Sequence, residues 1–293
     1  MRNKLSGFAL PYVFWMALFV VIPILIMVMY SFTTSEFDLT ADNFTSMGVY
    51  MPVFLRSFRL AIIATLVCLL IGYPVSYLMA KEGPGFQRAA MALIMLPMWM
   101  NFLLRTYSWM SILENNGLLN QLLRNIGVID LYNSIAMNLS AAPDKYVPIT
   151  HFQMIGTSGA VVLGMVYNYL PFMILPIYSV IVKLDHSLLE AARDLGANSA
   201  TVFRKVIFPM SLPGILSGVT MVFVPSVSTF AISRLLGGGT QMMLGDLIEQ
   251  QFLGGAYNPH LGAAISMVMM VIVVVCMVVM NHFGEGEEQA VML

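Results

Sequence analysis

The sequence predicts an all-α membrane protein with six transmembrane helices. Of 293 residues, 59% are hydrophobic and only 10% charged, far from the balance of a soluble domain. The apolar residues fall in runs of about 20, and about 20 residues of helix match a hydrocarbon layer of roughly 30 Å. Between two of these runs lies a polar, helix-patterned island, SLLEAARDLGANSATVFRKVIFPMSLP, from Ser187 to Pro213.

Span one, 8–31, follows Arg2 and Lys4; it is too long for a signal-peptide core and reads as uncleaved. Glu36, Asp38 and Asp42 mark a polar connection, and apolar character resumes over 59–80 as span two. Lys81, Glu82, Gly83, Pro84 and Gly85 make a tight break before span three, 88–110. From Ser111 to Ser158 the chain carries Asn, Asp, Pro and Gly with short amphipathic pieces such as LLNQLL, as in surface helices lying against a membrane. Span four covers 159–182, the polar island sits in a loop over 183–213, and spans five and six cover 214–236 and 261–283. A single membrane domain over 1–293 is expected.

The island predicts helix, turn, helix. Ser187 and Glu190 have capping-box spacing, so a helix is expected to start there. Leu188, Ala191, Ala192 and Leu195 keep one side apolar, and Gly196 closes the helix by taking a left-handed conformation. Asn198 or Ser199 caps a second short helix through Val202, Phe203 and Val206, until Pro209 and Pro213 open the next span.

The positive-inside rule orients the chain. With the first residues inside, Arg2, Lys4, Lys81, Arg88, Lys183, Arg193, Arg204 and Lys205 are cytoplasmic, eight against the six outer cations Arg56, Arg59, Arg105, Arg124, Lys145 and Arg234. Both termini and the 183–213 loop then face the cytoplasm. The acidic tail GEGEEQ contributes little to orientation.

Several functions are disfavoured. A net charge of −1 provides no basic surface for nucleic acid. Cys68 and Cys276 fall inside apolar runs, and His151, His186, His260 and His282 lack ligand spacing, which argues against a metal site. There is no GxxxxGK[ST] phosphate loop; the nearest candidate, Gly237 to Thr240, lacks the lysine. No Ser, His and Asp set is recognisable, so an enzyme is not expected and energy must come from a partner. A proton-coupled transporter would place carboxylates or His in mid-span, and no carboxylate falls clearly there.

Polar residues inside spans are costly, about 2.5–3.5 kcal/mol for a central Arg on insertion scales. Asn101, Arg105 and Ser108 recur at helical spacing in span three, beside Trp99, Tyr107 and Trp109. Two readings stay open: a wall of a substrate pathway, or a snorkelling Arg within an interfacial aromatic belt. In span five Pro225 frees a backbone carbonyl, with Ser226, Thr229 and Ser233 alongside, for substrate contact or helix packing. Glu114, Asp246 and Glu249 lie just beyond spans three and five, placed to draw in a cation, with Arg105 expected to neutralise one of them.

Glu190, Ala191, Ala192, Gly196, Val206, Phe208 and Pro209 together resemble the cytoplasmic coupling loop of ABC importer permeases: Glu-Ala-Ala, three residues, Gly, nine residues, Ile, any, Leu, Pro. Val206 and Phe208 depart from that pattern but keep its apolar character. LIGYPVSYLMAK, LPMWMNFLLRTYSW, NNGLLNQLL, GVID, LPFMILPIYSVIVKLD and LEAARDLGA extend the resemblance over nearly the whole chain, toward the permeases of bacterial spermidine and putrescine importers. The stretch from Leu131 to Ser158 is longer than usual for that group. The resemblance implies a type I importer permease fold of the MetI-like kind in a bacterial inner membrane. It also implies a heterodimer with a second such permease, an ABC ATPase dimer carrying ATP and Mg, and an external solute-binding protein. Within the same class the solute can instead be iron, an oxyanion or a sugar.

Overall fold

The computed structural model describes residues 11–139 and 147–291. Arg2, Lys4, Lys145 and the start of span one lie outside the described residues. Helices make up the architecture; among the described residues the β pairing is one isolated antiparallel bridge, Thr33 to Leu39.

The helices, in chain order, are α1 (Pro11–Ser31), α2 (Met51–Lys81), α3 (Pro84–Trp99), α4 (Phe102–Leu113), α5 (Leu118–Asn125) and α6 (Val128–Leu139). There follow α7 (Ser158–Ile181), α8 (His186–Asp194), α9 (Ser199–Met210), α10 (Leu212–Ser228), α11 (Ala231–Leu236), α12 (Leu244–Leu253) and α13 (Pro259–Val291). Four stretches are single helices long and apolar enough to cross a membrane: α1, α2 with its lead-in from Asp42, α7, and α13 as far as Met280. Two bent pairs bring the total to as many as six when each pair is counted as one span.

Those pairs are where the structure departs from straight spans. The third span is not one straight helix to Met110: α3 stops at Trp99, and the chain turns by 90° into the path of α4 and α5. Pro97 sits in the last turn of α3, Met100 is extended, and the Asn101 side chain accepts the Leu103 N–H at 2.8 Å, so a new helix is capped where the apolar run is continuous. The second pair, α9 and α10, bends by 59° at Ser211; further on, the fifth span ends as a helix at Ser228, with Thr229 extended, and α11 follows as a separate piece. Pro225 lies inside α10 just before this break and cannot donate to the carbonyl one turn back.

The core is a three-helix packing of α2, α7 and α10 around Leu60, Ala64, Met165, Met173, Ile177 and Val222. Gly72 of α2 and Gly218 of α10 both face Met173, and a methyl at either would lie 2.9 Å from its side chain. In lipid, where apolar burial gives little drive, such close approach is what holds helices together. Ser76 of α2 adds a donor to the Ile174 carbonyl of α7 at 3.0 Å. By contrast α1 packs on α13 and leaves most of its apolar side chains exposed.

The segment after α6 is held by side-chain amides that substitute for a partner strand. Asn120 donates to the Phe152 carbonyl at 3.0 Å and accepts its N–H at 2.9 Å; Asn133 treats Ile149 the same way, at 2.9 Å in both directions. Arg124 donates to Thr150 O at 2.7 Å.

Candidate functional site

Two regions carry the candidate residues: the turn over 183–213 and a polar pocket deep in the helix packing. In the turn, α7 ends at Ile181, and Asp185, not Ser187, caps α8. Its carboxylate accepts the Ser187 N–H at 2.9 Å, so the expected Ser187–Glu190 capping box is displaced by an acid two residues earlier. α8 ends as expected at Gly196, whose φ is +83°. The Gly196 N–H reaches Arg193 O at 2.8 Å and the Ala197 N–H reaches Ala192 O at 3.1 Å, the paired bonds of a Schellman motif. Asn198 then caps α9 by accepting the Thr201 N–H at 2.8 Å.

The turn leaves apolar surface uncovered. Leu195 is 89% exposed and Leu188 46%, with Ala191 exposed beside them. Glu190 is exposed and lines a cavity of about 470 Å³ with Lys81, Gln87, Arg193, Val202 and Ile207, between the turn and the ends of α2 and α3. Val206 lies in a π-helical turn, Phe203–Ile207, which precedes Pro209 and relieves the clash its ring would make in a regular helix. Phe208 and Phe203 clasp Tyr73 of α2 at ring distances of 5.8 Å each, and the Tyr73 hydroxyl meets Ser211 at 3.0 Å. The turn is thereby locked to α2 and to the start of α10.

The second region gathers around Arg105. Asn101, Arg105 and Ser108 do not share an environment: Asn101 and Ser108 are exposed, whereas Arg105 is only 8% exposed and its Nε and Nη1 have no hydrogen-bond partner among the described residues. Arg105 lies within electrostatic reach of Tyr169 in the middle of α7, which interacts in turn with Thr229 at the break of α10. The Tyr169 hydroxyl donates to the carbonyl of Pro225 at 3.4 Å. The structure thus brings together Arg105, Tyr169, Pro225 and Thr229 from three helices.

Trp109 packs edge-on to Tyr167, which lies on α7 as Tyr169 does, ring centroids 5.4 Å apart, while Trp99 (82% exposed) and Tyr107 (47%) point away from the packed interior. Ser226 is buried and donates its hydroxyl to Val222 O at 2.7 Å within its own helix. Tyr169 escaped the sequence reading, as did Asn168, whose Oδ1 is buried without a partner. The signal was a lone Asn within a 24-residue apolar helix.

At the end of the bundle remote from the turn, Glu249 is neutralised by Arg234 and not by Arg105: Arg234 Nη1 donates to both Glu249 oxygens, at 2.8 and 2.7 Å. Asp246, one turn earlier in α12 and outside the membrane-spanning helices, accepts from the Ser233 hydroxyl and from the Met243 N–H at 2.9 Å. Burial pushes its carboxyl above the ordinary range; Ser233, Met243 and Arg234 oppose the rise and Glu249 reinforces it. Glu114 is exposed.

This architecture has relatives. A crystal structure of a bacterial ABC transporter that imports the acidic polysaccharide alginate contains a chain matching at TM-score 0.72 and 17% identity, over 96% of this chain and 95% of that one. A chain of the inward-facing MetNI methionine ABC transporter matches at TM-score 0.55 and 18% identity, over 84% and 98%. In sequence, the spermidine/putrescine transport system permease protein PotB of Haemophilus influenzae is 36% identical over 280 residues, 92% of this chain and 91% of its own length. PotB of Escherichia coli is 36% identical over 266 residues, 88% and 90%. The inner membrane ABC transporter permease protein YdcU of Escherichia coli is 27% identical over 234 residues, 79% and 71%. Residues 35–285, which include the capped turn and every residue of the Arg105 pocket, match one family throughout, and the chain belongs to it: the binding-protein-dependent transport system inner membrane components.

Proposed function

We propose that the chain is a permease subunit of an ATP-driven importer for spermidine and putrescine, sharing a translocation path with a second, homologous permease. A separate ATPase dimer, carrying ATP and Mg, docks on the 183–213 turn, and an external binding protein delivers the solute. Both termini are cytoplasmic, and the chain itself hydrolyses nothing. The observation that carries this reading is the turn: a doubly capped helix-turn-helix that presents Leu188, Ala191 and Leu195 uncovered and is locked to α2 and α10 through Tyr73 and Ser211. A movement imposed on α8 is passed to two core helices. The choice of polyamine is supported by the relatives at 36% identity, which are spermidine/putrescine permeases.

In this reading the path runs beside the break at Thr229. Trp109, Tyr167 and Tyr169 offer aromatic faces to a polycation, each contact contributing about 0.5–2 kcal/mol. Arg105 opposes a cation there until an acid pairs with it, and the second permease is the available source. One observation favours a different solute of the same importer class: the unpaired Arg105 guanidinium suits a carboxylate or oxyanion. Proteoliposomes holding the assembled transporter decide between them. Uptake of radiolabelled spermidine and putrescine, with ATP hydrolysis stimulated by the loaded binding protein, is expected; uptake of an anion with polyamines ignored would overturn the polyamine assignment.

A further inference from the structure

A small polar pocket between α11 and α12, on the outer side in the orientation proposed above, belongs neither to the turn nor to the Arg105 group. Ser233, Arg234, Asp246, Glu249 and Gln250 line a cavity of about 90 Å³ between α11 and α12, several times the roughly 10–15 Å³ that one water needs. Asp246 is 6% exposed; its Oδ2 is saturated by Ser233 and the Met243 N–H, but its Oδ1 is buried with no partner among the described residues. A buried carboxylate oxygen without a donor is costly, so a donor from outside the chain is the economical completion. Beside it Glu249 is held by Arg234, whose side chain is 62% exposed, and an ion pair so open to solvent is held weakly.

We propose that this pocket is a subsite for a primary alkylammonium, the end of a diamine or polyamine arriving at the outer mouth. The inference rests on the polyamine reading above. The ammonium has three N–H donors and no acceptor. Asp246 Oδ1 takes one, the Gln250 side-chain oxygen another, and Glu249 the third once Arg234 swings out to solvent. A hard metal ion is a poorer fit, because calcium needs about six to eight free oxygens, whereas Asp246 Oδ2 is already taken by Ser233 and Met243 and both Glu249 oxygens by Arg234. The volume admits the ammonium and its first methylenes, leaving the rest of the chain to extend toward the path. Arg234 then acts as a resident cation that the substrate displaces.

The test uses the complete transporter in nanodiscs, with radiolabelled putrescine as the probe in equilibrium binding, alongside uptake in proteoliposomes. Asp246→Asn, which keeps the shape, is expected to weaken putrescine binding about tenfold and to raise the half-saturating concentration for uptake. Arg234→Gln is expected to tighten binding several-fold by vacating Glu249, and the exposed Glu36→Gln to change nothing. Normal binding by Asp246→Asn, or weaker binding by Arg234→Gln, overturns the subsite. Should Asp246→Asn fail to assemble, the rim variants Arg234→Gln and Glu249→Gln decide, with opposite changes expected. A parent that imports polyamines while Asp246→Asn binds normally loses only the subsite. A parent that binds putrescine through Asp246 yet imports none loses only the transport reading, and one that does neither loses both.

Discussion

The turn at 183–213 and the pocket around Arg105 solve the same problem in opposite ways. In the turn, helix ends find partners within a few residues: Asp185 for Ser187 N–H, Arg193 and Ala192 carbonyls for the N–H groups past the helix, Asn198 for Thr201 N–H. In the pocket, Arg105 has the company of Tyr169 and Thr229 from two other helices and still leaves Nε and Nη1 unmatched. The turn is complete as a piece of sequence. The pocket is not complete among the described residues, and under the proposed function a second permease completes it.

The largest effect is expected where that local completeness is broken. Gly196→Pro removes the N–H that reaches Arg193 O and demands a φ near −65° where the chain has +83°. A proline in such a place costs about 3 kcal/mol or more. The turn should lose its shape, and transport and stimulated ATP hydrolysis should fall together by more than about tenfold while the complex stays inserted. Normal stimulation of the ATPase in this variant would remove the turn from the coupling mechanism.

This difference explains what was legible in the sequence. Gly196 and Asn198 could be read because capping is local chemistry with few acceptable residue types. The cap itself was misplaced because Asp and Ser rank alike as N-caps. The choice of Asp185 is made by where α7 lets go of the chain, with the Leu184 N–H still bonded to Ile181 O. The bend at Met100 was hidden by an unbroken apolar run, although Pro97 and Asn101 marked its two sides. Arg105 stood out as a charge, but its neighbour Tyr169 is far away in sequence, and no periodicity joins two helices. Likewise the pairing of Glu249 with Arg234 depends on how α11 folds back beside α12.

A smaller effect, of divided sign, is expected at the pocket. Arg105→Met removes a buried guanidinium whose Nε and Nη1 find no partner among the described residues, and an unsatisfied buried group costs about 1–3 kcal/mol. The thermal stability of the isolated chain in detergent should therefore hold or rise. Uptake by the assembled transporter should fall about tenfold if, as proposed, an acid of the second permease pairs with Arg105 and is left alone by the substitution. A fall in the stability of the isolated chain would show that Arg105 is satisfied within it, and the contrast between the two regions would collapse.

The smallest effect distinguishes two neighbouring residues of the turn. Asp185 and Ser187 are both good N-cap types, and the Ser187–Glu190 spacing favours the serine on paper. In the structure Ser187 is already inside α8 and its backbone N–H is the donor, while Asp185 has the extended conformation of a cap, φ −67° and ψ 121°. Loss of a cap costs about 1 kcal/mol, roughly a fivefold change in the opening equilibrium of the first turn. Asp185→Ala should accordingly speed amide hydrogen exchange at Ser187 and Leu188 by about that factor, with a milder loss of transport than Gly196→Pro. Ser187→Ala should leave both unchanged, since the cap of α8 is the Asp185 carboxylate and the Ser187 hydroxyl makes no capping bond among the described residues. Equal acceleration in the two variants would return the start of α8 to Ser187. Exchange confined to the Asp185 variant would show that the acid holds the first turn of α8, the helix on which Leu188 and the C-cap Leu195 stand exposed.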